Sequence, residues 1–556
     1  MNQKVKLLAL FAALALTLVV VSSSSAAHRG AGAAKATGMV YAGSSDPTYL
    51  DPAFVSDGES FRVTTQIFEG LVALKPGTTN VIPALATSWK NSGGGKVWTF
   101  ALRKGVKFHD GTPFNSAAVC YNFNRWFNFS GALQDPGATF YYQSIFGGYK
   151  HNESSSLAAP LYKSCRAKGA NTAIITLNSP NGPFLPSLAL QAFAMQSPTA
   201  LKKYDADSAT ISNGAFRPTG SYAFQHPTGT GPFKFAGWTI KEKVVLQRND
   251  QYWGPKAKLA QVIIRPIADN SARVQALQTG EINAMDLLQP QDVPTVQNNS
   301  KLKVVNRPSF NVAYVGFNLS KPPTDNLQVR KAIAYGLDRQ SVVNAFYAGR
   351  AQLAIEFQPP QLFGWTPKVE RYTYNPDKAK QILTAAGFKL PVTLDFWYPT
   401  GVSRPYMPDP QRNFEAFSAS LEKSGFNVVA HSAPWRPDYV AKVNSGDAGN
   451  LNLIGWSGDY GDPDNFLGVF FKGDSPQFGM NNAPLTALLT KAVQEPNLKK
   501  RVALYQQANI MIMKDILPGV PYAHSVPALA MQRNVTGYVA SPIGTDWFRP
   551  VSFGGQ

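Results

Sequence analysis

The sequence predicts an α/β protein built in more than one lobe, and three observations carry that reading. At 556 residues the chain exceeds what one hydrophobic core supports, so two or three lobes are expected. Residues 1–200 carry strand signals and little helical periodicity. Later segments alternate amphipathic helices with strands, the pattern of an α/β layer. A hydrophobic content of 44% with 16% charged residues fits a compact globular fold.

The amino terminus reads as a processing segment. Lys4 and Lys6 form a basic start, residues 7–21 are almost wholly apolar, and residues 22–27 are small. That is the order of a secretory signal peptide. The apolar run is shorter than the roughly 20 residues a membrane span needs. Ser25-Ala26-Ala27 fits a cleavage site, so residues 1–27 are expected to be removed on export, with an uncleaved anchor as the alternative. No Cys follows the apolar run to carry a lipid. Residues 28–38 read as a flexible leader.

Strand signals begin with Trp98, Phe100 and Leu102, which alternate with smaller or polar residues at the period of a half-buried strand. Lys104-Gly105 and Asp110-Gly111 read as turns around Val106 and Phe108. Residues 130–160, rich in Gly, Tyr, Ser and Pro, read as an extended loop, and residues 172–177 as a strand. Further on, Asn375-Pro376-Asp377 supplies a cap, an N1 proline and an acid ahead of a helix ending at Gly387. A second helix is expected over residues 413–423, with Phe414, Phe417 and Leu421 on one face and Gly425 after it. Strands over 392–398 and 426–430 follow the two helices.

Charge and chemistry exclude several classes. The net charge of +19 could suggest nucleic acid. However, the basic residues are dispersed, with Lys499-Lys500-Arg501 the densest group, and no zinc-finger spacing or aromatic RNA-binding signature occurs. No nucleic-acid partner is expected. The six histidines form no HExxH, and neither a GxxxxGK[ST] loop nor a GxSxG elbow is present. Ser420-Leu421-Glu422-Lys423 matches SxxK, but no KTG or SDN accompanies it. The acid-rich stretch 459–464 lacks the ligand spacing of a calcium loop. No catalytic residue, metal or cofactor is therefore expected. Two cysteines, Cys120 and Cys165, in an exported chain point to one disulfide rather than two free thiols.

Three stretches carry a family resemblance: residues 98–114 (WTFALRKGVKFHDGTPF), residues 229–235 (GTGPFKF) with 248–253 (RNDQYW), and residues 455–467 (GWSGDYGDPDNFL). Residues 66–72 (QIFEGLV) and 329–339 (VRKAIAYGLDR) support them. Together they closely resemble the family 5 extracellular solute-binding proteins, the dipeptide and oligopeptide receptors of ABC importers. The resemblance implies a two-lobed, periplasmic-binding-protein-like fold of type II, with an extra β-rich domain and a hinged ligand cleft. By that analogy residues 39–75, 191–309 and 525–556 form lobe I, 76–190 the extra domain, and 310–524 lobe II.

The same resemblance implies a monomeric, non-enzymatic receptor outside the cytoplasmic membrane, periplasmic or cell-envelope associated. It would capture a short peptide and deliver it to membrane permease subunits. A buried peptide needs a countercharge at each end. Asp459 falls on the family's acid for the α-ammonium, and Arg404 on its arginine for the α-carboxylate, which suits a planar fork. Trp456, Tyr398 and Tyr406 are expected beside the ligand. Main-chain groups near Gly58, Ser60 and Gly458 could pair with the peptide as an added strand. Asp462 and Asp464 are read instead as caps of backbone N–H groups. Relatives of this fold also bind nickel complexes, haem, glutathione, opines or sugars; an exported hydrolase is the alternative from another class.

Overall fold

A computed structural model describes residues 38–554 of the chain. The expected signal segment and residues 28–37 of the leader lie outside the described residues. Gly38, assigned to the leader, instead opens the strand Gly38–Gly43.

Two large sheets organise the molecule. The first has seven strands in the order Phe233–Thr239, Lys243–Arg248, Gln261–Pro266, Gly38–Gly43, Ala284–Leu288, Ala528–Gln532 and Leu302–Asn306. Its two faces bury separate cores, one around Tyr41, Ile67 and Phe548, the other around Leu277, Met285 and Leu302. The second has six strands in the order Ala351–Leu353, Gly519–Ser525, Asn311–Phe317, Leu451–Ser457, Val392–Thr400 and Phe426–Pro434. Near-continuous burial of Asn311–Phe317 and Gly519–Ser525 marks them as central strands covered on both faces. The chain passes between the two sheets at residues 307–310 and 526–527.

A four-stranded antiparallel sheet, Ala86–Ser92, Val97–Leu102, Thr172–Leu177 and Tyr162–Ala167, has its own aromatic core. The alternation read in the sequence is the observed one, with Trp98, Phe100 and Leu102 buried. Cys120, on the helix Ser116–Phe127, is bonded to Cys165 on the edge strand Tyr162–Ala167. The bond closes a loop across a sequence separation of 45, so reducing it is expected to cost this sheet about 2–4 kcal/mol. Denaturant unfolding with and without reductant measures that loss.

Two expectations need correction. Residues 130–160 are not an extended loop: they hold a short 3-10 turn, Gly131–Gln134, and the helix Phe140–Phe146. That helix has no side-chain cap bond at Thr139, but it buries Tyr141, Tyr142, Ile145 and Phe146 in the aromatic core. Tertiary packing makes it, which is why no periodic signal announces it. The second expected helix begins earlier, at Pro410, where Asp409 accepts from Arg412 N at 3.1 Å. The Asp-Pro start signal outranks Asn413, which lies buried inside the helix. The helix Pro376–Ala385 forms as its cap dictates, with Asn375 accepting from Lys378 N at 2.9 Å and Gly387 at φ +86°.

Buried ions fix the first crossing. Arg307 donates to Asp546 at 2.8 Å and to Asp286 at 2.9 Å, while Arg62 donates to Asp286 at 2.7 Å. All four side chains are buried, and the two guanidinium groups hold the Asp286 carboxyl well below the usual carboxylate range. The chain therefore leaves the seven-stranded sheet from a pinned point. Among the described residues no helix is long and apolar enough to cross a membrane.

Candidate functional site

The strand Leu451–Ser457 ends in a loop that carries three acids, Asp459, Asp462 and Asp464, and the fold treats them differently. Asp462 accepts from Asp464 N at 3.1 Å and takes both oxygens' bonds from Arg501, at 3.0 and 2.9 Å. Asp464 is paired with Lys472 at 3.1 Å. Both acids are thus committed to structure, Asp462 as cap and ion pair, whereas Asp464, expected as a cap, accepts no backbone N–H among the described residues and makes only its ion pair. Asp459 is not. Its carboxylate receives only neutral donors, Tyr141 Oη at 2.8 Å and Asn465 Nδ2 at 3.2 Å, while its own N–H donates to Asn465 Oδ1 at 2.7 Å. With no cation beside it, burial pushes its carboxyl up to about 7.

The loop's glycines exist because neighbours come too close for a side chain. Gly458 N donates to Phe310 O at 2.8 Å, and a Cβ there would lie 2.3 Å from the Phe310 ring and 2.7 Å from that of Phe466. The amide of Gly458 is therefore spent on the crossing segment, and the residue positions Asp459 from behind. A Cβ on Gly461 would meet Thr79 O at 2.8 Å, so a hairpin of the other half of the molecule rests against this loop.

Tyr141 comes from the helix Phe140–Phe146, which packs in the aromatic core of the four-stranded sheet. The adjacent Phe140 ring lies 6.1 Å from that of Trp456, which also packs at 5.7 Å against Phe470. Trp456 is half-buried and its indole N–H has no acceptor. The β-rich part thus reaches across to the loop and end of the strand Leu451–Ser457 through the Tyr141–Asp459 hydrogen bond and the Phe140–Trp456 contact, among others. Neither Tyr141 nor Asn465 was legible as a site residue; the only trace was three successive aromatics, 140–142, in a Gly-rich stretch.

Arg404 sits in a tight turn, its N–H donating to Met407 O at 3.1 Å and Met407 N donating back at 3.0 Å. Its guanidinium lies 4.9 Å from the Trp435 ring centroid. Among the described residues no carboxylate pairs with it, and its Nε is buried without an acceptor. It lines a crevice with Leu287 and Leu288 of the seven-stranded sheet and with residues 525–528 of the second crossing. Arg404 therefore stands at the junction of the two halves, as an unpaired cation.

The other expected residues have clear placements. Tyr406 is buried in the six-stranded half, its ring against Gly455 and its carbonyl accepting from Tyr347 Oη at 2.8 Å. Tyr398 is half-buried and stacks on Phe414 at 4.2 Å, so its ring faces the helix Pro410–Lys423. Gly58 is exposed and opens the helix Gly58–Ile67, with open space where a Cβ would go. Ser60 is fully buried; its hydroxyl donates to Asp57 at 2.7 Å and accepts from Thr48 N at 2.7 Å. Its single donor is therefore committed to the helix start. Among the described residues no group of three His, Cys, Asp or Glu side chains is placed to hold a metal.

The model of the bacterial extracellular solute-binding proteins, family 5 middle, matches residues 80–478. The chain belongs to this family. The solute-binding protein is 32% identical to haem-binding protein A of Haemophilus influenzae, with all of both chains covered. It is 31% identical to the dipeptide-binding protein of Escherichia coli, covering 94% of this chain and 96% of that one. Among solved structures it resembles the ABC transporter-associated periplasmic binding protein DppA of Helicobacter pylori in complex with the peptide STSA. That likeness has a TM-score of 0.79 and 29% identity, over 93% of this chain and 99% of the other. The fold is the two-lobed α/β architecture of these proteins. In the solute-binding protein Asp459 and Arg404 are both half-buried, and neither has an oppositely charged partner among the described residues.

Proposed function

We propose that the protein is an exported receptor that captures di- or short oligopeptides in its interlobe cleft, for import by an ABC transporter, without catalysing a reaction. The observation that carries this reading is the pair of unmatched charges. Asp459 has only neutral partners and Arg404 has no carboxylate, while the neighbouring acids Asp462 and Asp464 are each paired. A zwitterion with an ammonium at one end and a carboxylate at the other satisfies both. Leaving such groups buried and unpaired costs several kcal/mol, so the complementary ligand gains what the empty site lacks.

Family membership and the peptide-named relatives support the same reading. The relative named for haem offers a second one. Haem presents carboxylates that could meet Arg404 but no ammonium, so Asp459 would stay unpaired. The lobes are taken as residues 39–75, 191–309 and 525–556 against 310–524, with 76–190 as the extra domain that supplies Tyr141. Export would place the receptor in the periplasm or cell envelope, acting as a monomer with the permease subunits.

Titration calorimetry with a dipeptide panel tests the proposal, using N-acetylated and C-amidated forms as controls. Binding that needs both free termini supports it; equal binding of the blocked forms overturns it. A smaller effect is expected at Tyr141. Tyr141→Phe removes a donor that favours the carboxylate, raising the Asp459 carboxyl further and weakening binding at pH 7 by about 1 kcal/mol. The loss should shrink as pH is raised, because the acid then ionises without help. A pH-independent loss would mean that Tyr141 acts only by packing.

A further inference from the structure

Tyr460 directly follows the candidate ligand acid, yet its side chain is buried in a core built by the other half of the molecule. It is 1% exposed and belongs to the aromatic core of the β-rich part, where it is the only buried member from residues 310–524 among the described residues. The ring therefore offers no surface to a ligand. Its hydroxyl is buried without a hydrogen-bond partner. Buried polar atoms without partners are rare in native proteins and call for an explanation.

The chain on either side of Tyr460 makes the same crossing. Asp459 accepts from Tyr141 at 2.8 Å, and Gly461 fits against Thr79 only because it has no side chain. Asp462 is anchored by Arg501, whose guanidinium also supports the β-rich part. A Cβ on Gly182 would lie 2.6 Å from Arg501 Cζ, and Gly182 N donates to Val493 O at 2.8 Å. The segment 310–524 is joined to the rest of the described chain only at residues 307–310 and 526–527. Everything else that holds it against the β-rich part is noncovalent.

We propose that Tyr460 is a closure latch, a positioning residue that sets how long a ligand is held without touching it. The inference rests on the hinged, two-lobed receptor proposed above. When the segment 310–524 swings away, Tyr460 leaves the aromatic core and its hydroxyl regains water; when the segment returns, the ring reinserts and brings Asp459 to Tyr141. Burial of the ring favours the closed form. The orphaned hydroxyl favours the open one, because only there does water satisfy it. The hydroxyl thus weakens a latch that the bare ring would make tighter, which keeps release to an importer possible.

Stopped-flow release of a bound dipeptide from the full protein tests this, and ring and hydroxyl should act with opposite signs. Tyr460→Phe should slow release about fivefold, since the orphaned hydroxyl is gone. Tyr460→Ala should speed it about ten- to hundredfold. Both variants should keep the parent's preference for a free over an N-acetylated amino terminus, because Asp459 is untouched. Spin-label distances between Lys90→Cys and Lys499→Cys read closure in ligand-free protein; both sites are exposed, and the native cysteines are bonded to each other. The short-distance population should rise in Tyr460→Phe and fall in Tyr460→Ala. Those shifts in a protein that binds no peptide would sink the peptide reading and support the latch. Faster release in Tyr460→Phe, or distances indifferent to both substitutions, overturns the latch. Loss of the amino-terminal preference in Tyr460→Ala overturns it too, because Tyr460 would then act by shaping the Asp459 loop.

Discussion

Asp459→Ala is expected to weaken binding of a peptide with a free amino terminus by about 3–5 kcal/mol, the cost of stranding an ammonium in a closed cleft. N-acetylated peptides, which bring no ammonium, should show no such loss. The same carboxyl sets a pH dependence. Burial raises it to about 7 in the empty receptor, whereas an ammonium beside it favours the ionised form and lowers it. Binding therefore releases a proton below pH 7. Affinity should be flat above that pH and fall about tenfold per unit from pH 7 towards 5.

Folding runs in the opposite direction. A raised carboxyl means that the folded state holds a proton the unfolded chain has lost. Asp459 thus lowers stability increasingly as pH rises from about 4 to 7, and contributes nothing further above it. Asp462, also pushed up by burial, to about 6, titrates in the same window but is held by Arg501 whether or not ligand is present. Asp459→Asn separates the two. It should abolish the pH dependence of binding between 5 and 7, read by calorimetry in two buffers of different ionisation heat. A profile unchanged in Asp459→Asn would assign the titration elsewhere.

Arg404→Ala is the second large effect, again about 3–5 kcal/mol, on peptides with a free carboxylate. Its guanidinium already has the preorganisation that bidentate recognition needs: the backbone turn to Met407 fixes its stem, and Trp435 lies 4.9 Å from its central carbon. Arg404→Lys should recover little, since an ammonium cannot reproduce the planar fork. C-amidated peptides should bind the parent and Arg404→Ala alike. If Arg404→Ala binds dipeptides as tightly as the parent, the carboxylate lies elsewhere in the cleft.

What the sequence disclosed about this site followed the range of its interactions. Asp459 and Arg404 lie in contiguous motifs, and the acids expected to cap backbone groups, Asp462 and Asp464, are the ones the fold commits to internal bonds. Strand 97–102 was legible because its alternation is local. Tyr141 was not, because it lies 318 positions from Asp459 and sits on a helix that exists only through tertiary packing. The start of Pro410–Lys423 was misplaced for a smaller reason: Asn413 has the chemistry of a cap, but the Asp409 carboxylate accepts from Arg412 N, one turn earlier, with Pro410 at the first helical position. Ser60 shows the converse hazard. A polar residue at a helix start beside the expected cleft turns out to satisfy its own cap.

Native mass spectrometry of the purified protein, offered a mixture of di- and tripeptides together with haem and a nickel–histidine complex, tests the central claim most directly. The expected result is a single short-peptide adduct that disappears in Asp459→Ala and in Arg404→Ala. Retention of haem or the metal complex, with no peptide adduct, would contradict it.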